Sequence, residues 1–310
     1  MVSISFVVPV YNEAANIAPL YERLSAVMQS INASYELLLV NDGSTDTSLQ
    51  QIKDLALRFP EVKFIDLSRN FGQQIALTAG FEHCTGQAVV ILDADLQDPP
   101  EVIPEMYQKL GQGFDVVYAR RLNRNGDALF KRTFASVFYR ILSTITTVPI
   151  PVDTGDFRIV SRRVIEHLKQ MPESHKYYRG QIPWLGFTQT FITYDREPRR
   201  SGNSGYSSVK MLRLAIDGIT SFSNFPLRFA SIAGFVVSGM SFIWILIALY
   251  DRLIAHNTVK GWTSLMIAIL FLGGIQLICI GIIGEYISRI SDNVRHRPLY
   301  IIRETNVKHP

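Results

Sequence analysis

Two carboxylates, Asp93 and Asp95, stand where the apolar run Ala88-Val89-Val90-Ile91-Leu92 stops. Such a run reads as a fully buried strand, and the carboxyl end of a buried strand is where open α/β sheets place their ligands. Alternate residues of an extended segment point the same way, so the pair is expected to face one crevice and offer hard oxygen ligands to Mg2+ or Mn2+. A cation held in that way also holds phosphates. The competing use of these acids is a helix N-cap before Pro99-Pro100, a job that Asp98 suits better than Asp93 or Asp95.

Positioning such a pair takes a sheet. Apolar runs predict strands near 3–9, 35–40, 62–67, 87–92 and 114–119, with helices between them at about 14–31, 45–58, 72–84 and 100–111. That alternation is the pattern of an α/β, Rossmann-like, mainly parallel sheet with crossover helices, to which 153–160 and 188–196 are expected to add strands. The first strand runs into Pro9-Val10-Tyr11-Asn12-Glu13 rather than G-x-G-x-x-G, which argues against a dinucleotide cofactor. Turn chemistry follows the second strand at Asn41-Asp42-Gly43-Ser44.

With 310 residues, 47% of them apolar, the chain has room for about two domains and is more apolar than most wholly soluble proteins. Phe229 to Tyr250 and Gly261 to Gly284 carry no Asp, Glu, Lys or Arg, and each exceeds the roughly 20 residues that span a bilayer core. Asp251 to Lys260 is too short to be a domain, so the two spans form a hairpin with both ends of the chain in one compartment. Lys210, Arg213 and Arg228 precede the hairpin and Arg289, Arg295 and Arg297 follow it, against Arg252 and Lys260 in the loop, which places the two ends in the cytoplasm. The net charge of +4 is mild and its basic residues gather near the spans, favouring anionic lipid over nucleic acid as partner. Cys84 and Cys279 imply no disulfide framework. Gly234, Gly239, Gly273, Gly274 and Gly281 would let the spans pack closely, within the hairpin or between subunits of a homo-oligomer.

Four segments follow: a catalytic domain over 1–200, a mobile loop and amphipathic juxtamembrane helix over 201–227, the hairpin over 228–290 and a basic tail over 291–310. The loop begins in Arg199-Arg200-Ser201-Gly202-Asn203-Ser204-Gly205, and in the helix Val209, Leu212, Ile216 and Ile219 share one face.

Pro9-Val10-Tyr11-Asn12-Glu13, Asn41-Asp42-Gly43-Ser44, Arg69-Asn70-Phe71-Gly72 and Asp93-Ala94-Asp95, taken with the hairpin, resemble a family 2 glycosyltransferase of GT-A fold. The hairpin narrows the resemblance to polyprenyl-phosphate glycosyltransferases, among them the bactoprenol glucosyltransferases and dolichyl-phosphate mannose synthase. The resemblance implies an inverting transfer of one hexose, with UDP-glucose and undecaprenyl phosphate the preferred pair, at the cytoplasmic face of a bacterial inner membrane. It also implies roles by position. Pro9, Tyr11, Asn12, Glu13 and Asp42 would line the nucleotide, Asp93 would sit by the ribose and the metal, and Asp95 and Gln97 would be direct metal ligands in a site completed by the donor diphosphate. Arg120, Arg132 and Ser136 would cradle the lipid phosphate, Arg199 would reach the phosphates, and Asp156 would orient the acceptor or act as a base; Asp95, Asp156 and Arg120 are the residues expected to carry catalysis. Relatives usually have Lys where this chain has Gly205. A processive polysaccharide synthase shares the nucleotide-binding half but needs more spans and a Q-x-x-R-W motif absent here, and a degenerate membrane-anchored scaffold is disfavoured by the intact Asp42, Asp93 and Asp95.

Overall fold

The central strands are apolar on both faces because helices cover both. A computed structural model describes residues 2–122, 154–195, 225–253 and 261–307. In chain order they form β1 (Ile4–Val10), α1 (Ala14–Ile31), β2 (Tyr35–Asn41), α2 (Ser48–Arg58), β3 (Val62–Leu67), α3 (Gln73–His83) and β4 (Ala88–Ile91). A single 3-10 turn (Pro100–Val102) leads into α4 (Ile103–Gly111), followed by β5 (Val116–Arg121), β6 (Thr154–Ser161), α5 (Arg162–Lys169), α6 (Tyr178–Trp184) and β7 (Gln189–Tyr194). Two long helices, α7 (Phe225–Leu253) and α8 (Trp262–Val294), precede a last strand, β8 (Ile302–Thr305).

The strands make one sheet in the order β7-β5-β6-β4-β1-β2-β3-β8. β1 pairs in parallel with both β2 and β4, and β2 with β3. Alternating side chains sort into two cores. Phe6, Val8, Leu37, Leu39 and Val90 pack on one face with Ile17, Leu20 and Leu24 of α1, while Val7, Leu38, Val40, Ile65 and Ile91 pack on the other with Leu77 and Phe81 of α3. After β3 the chain returns across β1 to lay down β4, so the strand order reverses between β1 and β4, and a crevice opens beyond their carboxyl ends. β6 runs antiparallel to β4 with Ile91 opposite Arg158, which brings the start of β6 to that same end.

Three expectations change. β4 stops at Ile91, and the residues after it turn, with Leu96 at φ 58°, so Asp93 and Asp95 do not lie on an extended strand and alternation does not orient them. Asp98 caps no helix: the turn after it begins at Pro100 and has no side-chain cap, and the Asp98 carboxylate accepts instead from the Tyr194 hydroxyl at 2.5 Å. The tail after α8 is not only basic, since it supplies β8 to the far edge of the sheet, antiparallel to β3.

Phe225–Trp244 and Phe271–Val294 are long and apolar enough to cross a membrane, with mean hydropathies of 1.5 and 1.6, and almost nothing covers them. Trp244 is 74% exposed, Phe235 82% and Leu277 72%, an apolar surface that water does not tolerate at this size. Among the described residues, none of Gly234, Gly239, Gly273, Gly274 and Gly281 has an atom within 4 Å of where a Cβ would sit. These glycines therefore do not mark the contact between the two helices, which approach instead at Ala230, whose carbonyl lies 3.7 Å from the Cys279 thiol.

Candidate active site

One wall of the crevice is built by backbone. β1 ends at Val10, and Asn12 takes a left-handed conformation at φ 55°, from which its amide N–H donates to Ser44 Oγ and its Oδ1 accepts from the Thr45 N–H. Glu13 N–H donates to Ser48 Oγ, and Asp46 accepts from the N–H groups of Ala14 and Ser48, so the turns after β1 and β2 are laced together. Asp42 is buried, and its two oxygens accept from the Phe71 N–H at 2.7 Å and the Gly72 N–H at 2.9 Å. Burial raises its pKa, and those two amides together with the Arg69 charge oppose the rise. Gly43, at φ +68°, admits no side chain, because a Cβ there would stand 2.5 Å from the Arg69 carbonyl carbon and the Asn70 nitrogen.

The opposite wall is built by charge. Gln73, the first residue of α3, donates from Nε2 to Asp93 at 2.7 Å and reaches Asp156 at 3.5 Å. Asp156 takes a two-point hold from Arg179, whose Nε and Nη2 donate at 2.9 and 3.0 Å, and a further bond from Arg158 Nη2 at 3.1 Å. Arg158 is fully buried and also donates to the Gly155 and Asp156 carbonyls, but among the described residues its Nη1 has no hydrogen-bond partner. Next to this pair, Arg121 lies 3.5 Å from Asp98 and donates to the Tyr194 hydroxyl.

The two facing acids are pushed in opposite directions. Desolvation, then the charges of Asp156, Asp98 and Asp95, drive the Asp93 carboxyl well above the usual range, to about 8. Burial would raise Asp156 too, but the guanidiniums of Arg179, Arg158 and Arg121 outweigh it and hold that carboxyl down at about 2. Asp95 is buried, and its Oδ1 accepts from the Gln97 N–H at 3.1 Å. Among the described residues, no three His, Cys, Asp or Glu side chains converge as a finished metal cage.

Residues 5–169 match Glycosyl transferase family 2, and residues 225–290 match the GtrB C-terminal hairpin. The chain belongs to glycosyl transferase family 2. The uncharacterized glycosyltransferase YkcC of Bacillus subtilis is 48% identical over 97% of this chain and 93% of its own. The SfII prophage-derived bactoprenol glucosyl transferase of Shigella flexneri is 41% identical over 99% of both chains. Among solved structures, glucosyl-3-phosphoglycerate synthase from Mycobacterium tuberculosis, in complex with Mn2+, uridine diphosphate and phosphoglyceric acid, is 20% identical with a TM-score of 0.49, covering 70% of this chain and 76% of that one.

In this glycosyltransferase, Tyr11, Asn12, Glu13 and Asp42 gather at the carboxyl ends of β1 and β2, with Pro9 just inside β1, while Asp93, Asp95 and Gln97 follow β4 and Asp156 lies near the start of β6. Arg120 is exposed at the end of β5, its guanidinium 5.4 Å from the Phe191 ring centre. Arg132, Ser136 and Arg199 lie outside the described residues. Sequence reasoning missed Gln73 and Arg179. Gln73 directly follows the Arg69-Asn70-Phe71-Gly72 motif and was within reach of it; Arg179, in Tyr178-Arg179-Gly180, carries no local signal and is found only through its bonds to Asp156.

Proposed function

We propose that the protein transfers one glucose from UDP-glucose to a polyprenyl phosphate, undecaprenyl phosphate being the preferred acceptor, with inversion at the anomeric carbon. The observation that carries this reading is the 41% identity to a bactoprenol glucosyl transferase over 99% of both chains, hairpin included. The crevice suits the chemistry. Its backbone-built wall offers a shaped edge for the nucleotide, and its carboxylate-rich wall offers hard oxygens for a divalent cation.

The residues present fit Mg2+ or Mn2+: Asp93, Asp95 and Gln97 are oxygen donors, and the repulsion gathered at Asp93 is the kind a cation relieves. Among the described residues no three acids are arranged to hold a metal together, so the donor diphosphate would complete the coordination. When bound, the metal supplies charge neutralisation on the departing nucleoside diphosphate. An acceptor phosphate monoester, with a second pKa of about 6, is already largely ionised at pH 7 and calls for positioning more than for a base. Asp156, held by two guanidiniums and depressed in pKa, is a poor proton acceptor, and its place is to orient Arg179 and Arg158 toward the reacting phosphates. Arg120, stacked on Phe191, offers a guanidinium to the lipid phosphate, as Arg132 and Ser136 would from outside the described residues, with Arg199 reaching the donor phosphates.

The catalytic domain and the tail belong on one side of the bilayer, because β8 pairs with β3 after two apolar helices have intervened, and the flanking basic residues favour the cytoplasmic side. The test is a panel of labelled UDP- and GDP-sugars offered to the purified full chain with undecaprenyl phosphate and Mg2+ or Mn2+, followed by extraction into organic solvent. Label from UDP-glucose is expected in the lipid phase and lost with Asp95→Asn; extraction of a different sugar would replace the donor, and extraction of none would remove the reading.

A further inference from the structure

The strand that follows the membrane hairpin does more than cover an edge. Its side chains reach the end of β3 and the residues that lead into the 69–72 loop. Ser68 N–H donates to the Ile301 carbonyl at 2.9 Å, and Arg303 Nη2 donates to the Ser68 carbonyl at 2.5 Å, so both backbone groups of the residue before the loop are taken by the tail. Arg303 Nη1 also lies 3.6 Å from Asp66 Oδ2, an oxygen in a fully buried side chain with no hydrogen bond of its own. The other oxygen of Asp66 accepts from Asn41 Nδ2 at 2.8 Å, and Asn41 Oδ1 accepts from the Ser44 N–H. One exposed guanidinium therefore touches the root of the 69–72 loop and, through Asp66 and Asn41, connects to the 41–44 turn, the two segments that meet at the Asp42 carboxylate.

The end of α8, from which this segment departs, is tied to the catalytic domain. Asn293 Oδ1 and the Asp292 carbonyl, near the end of α8, accept from Ser174 N–H and Oγ, and Asp292 pairs with His175. Asn306 and Thr305 then fix β8 to Phe64 and Val62 of β3, and Lys53 holds Glu304 at 2.5 Å.

We propose that β8 is a strap that positions the 69–72 loop, whose amides hold Asp42 on the nucleotide wall, with Arg303 as a positioning residue acting through Ser68 and Asp66. The consequence for catalysis rests on the donor reading above; the placement of the loop does not. An edge strand that merely blocked aggregation would leave the loop and donor affinity alone when one exposed side chain was trimmed. A strap that positions the loop gives a different signature, a loss of donor binding with the chemical step preserved.

The experiment uses the full chain in detergent. In Arg303→Ala, amide exchange at Phe71 and Gly72 without substrate should quicken by about tenfold while the α1 core amides stay as protected as before. The KM for UDP-glucose should rise on the order of 5- to 10-fold, with kcat within about twofold and the KM for undecaprenyl phosphate unchanged. Arg303→Lys, which keeps a charged donor for Ser68 and Asp66, should recover most of both effects. Unchanged exchange at Phe71 and Gly72 overturns the proposal, as does faster exchange with no change in donor KM. Exchange that quickens everywhere makes β8 a global staple and overturns it too. If the wild-type chain does not use UDP-glucose, the donor reading falls, and the exchange arm alone decides whether Arg303 positions the loop.

Discussion

Asp42 and Asp93 close the two strands that flank β1, yet they live in opposite circumstances. Asp42 has both oxygens filled by backbone N–H groups, whereas Asp93 has the amide of Gln73 and is otherwise crowded by Asp95, Asp98 and Asp156. The first acid welds the turn after β2 to the loop before α3. The second has been left short of positive charge, which is where the energy of an arriving cation or ligand is best used. The difference teaches that acidic character at a strand end does not assign a role; the partners do.

The comparison can be broken at several points. The largest effect is expected from Asp95→Asn on the charged wall, a fall in glycolipid formation on the order of 10^3-fold, measured by extraction of labelled product, with little change in thermal unfolding. Next is Asp156→Ala, which strips a buried carboxylate from two guanidiniums and should cost roughly 3 kcal/mol of stability in denaturant unfolding. Because its folded pKa is depressed, the contribution of Asp156 is present above the unfolded value of about 3.9 and is lost as pH falls toward 2, so the mutant and the parent should converge in strong acid.

Gly43→Ala attacks the backbone-built wall, forcing a left-handed alanine into the Arg69 and Asn70 backbone; a loss of about 2 kcal/mol should appear as a lower Tm, with a raised KM for the donor. The smallest effect has the opposite sign. The Asp93 carboxyl is raised in the folded protein, so its contribution is fully present below about pH 3.9 and is lost as pH rises toward 8. Asp93→Asn should therefore raise the Tm of the chain in chelator at pH 8 by a few degrees, at about 2–4 °C per kcal/mol, and leave it unchanged near pH 4. A Tm that falls at pH 8 would remove the contrast with Asp42.

Much of this architecture was legible in the residues. Ile4 to Val10, Tyr35 to Asn41, Val62 to Leu67 and Ala88 to Ile91 are largely apolar runs of strand length separated by helices, and the acids after the last of them announced the crevice. The two long apolar stretches announced the hairpin. β8 escaped notice because Ile302-Arg303-Glu304-Thr305 has one apolar residue and no alternation; backbone pairing and polar side chains hold it to β3, with Ile302 packed on the core. The Asp98–Tyr194 contact and the Asp156–Arg179 pair escaped because each joins residues far apart in the chain, 96 positions in the first case and 23 in the second. Local spacing predicts an N-cap for Asp98; only the tertiary fold brings β7 against it.

The pairing of β3 with β8 also sets an order of assembly. Residues 62–67 wait for residues 302–305, and everything in between, including both apolar helices, must be synthesised first. Until then the outer edge of β3 exposes unpaired N–H and C=O groups, an open template for the wrong strand, and a contact of such long sequence separation closes slowly. A nascent chain that reaches the membrane thus carries an unfinished sheet, and its last step of folding comes only after the hairpin has left the ribosome.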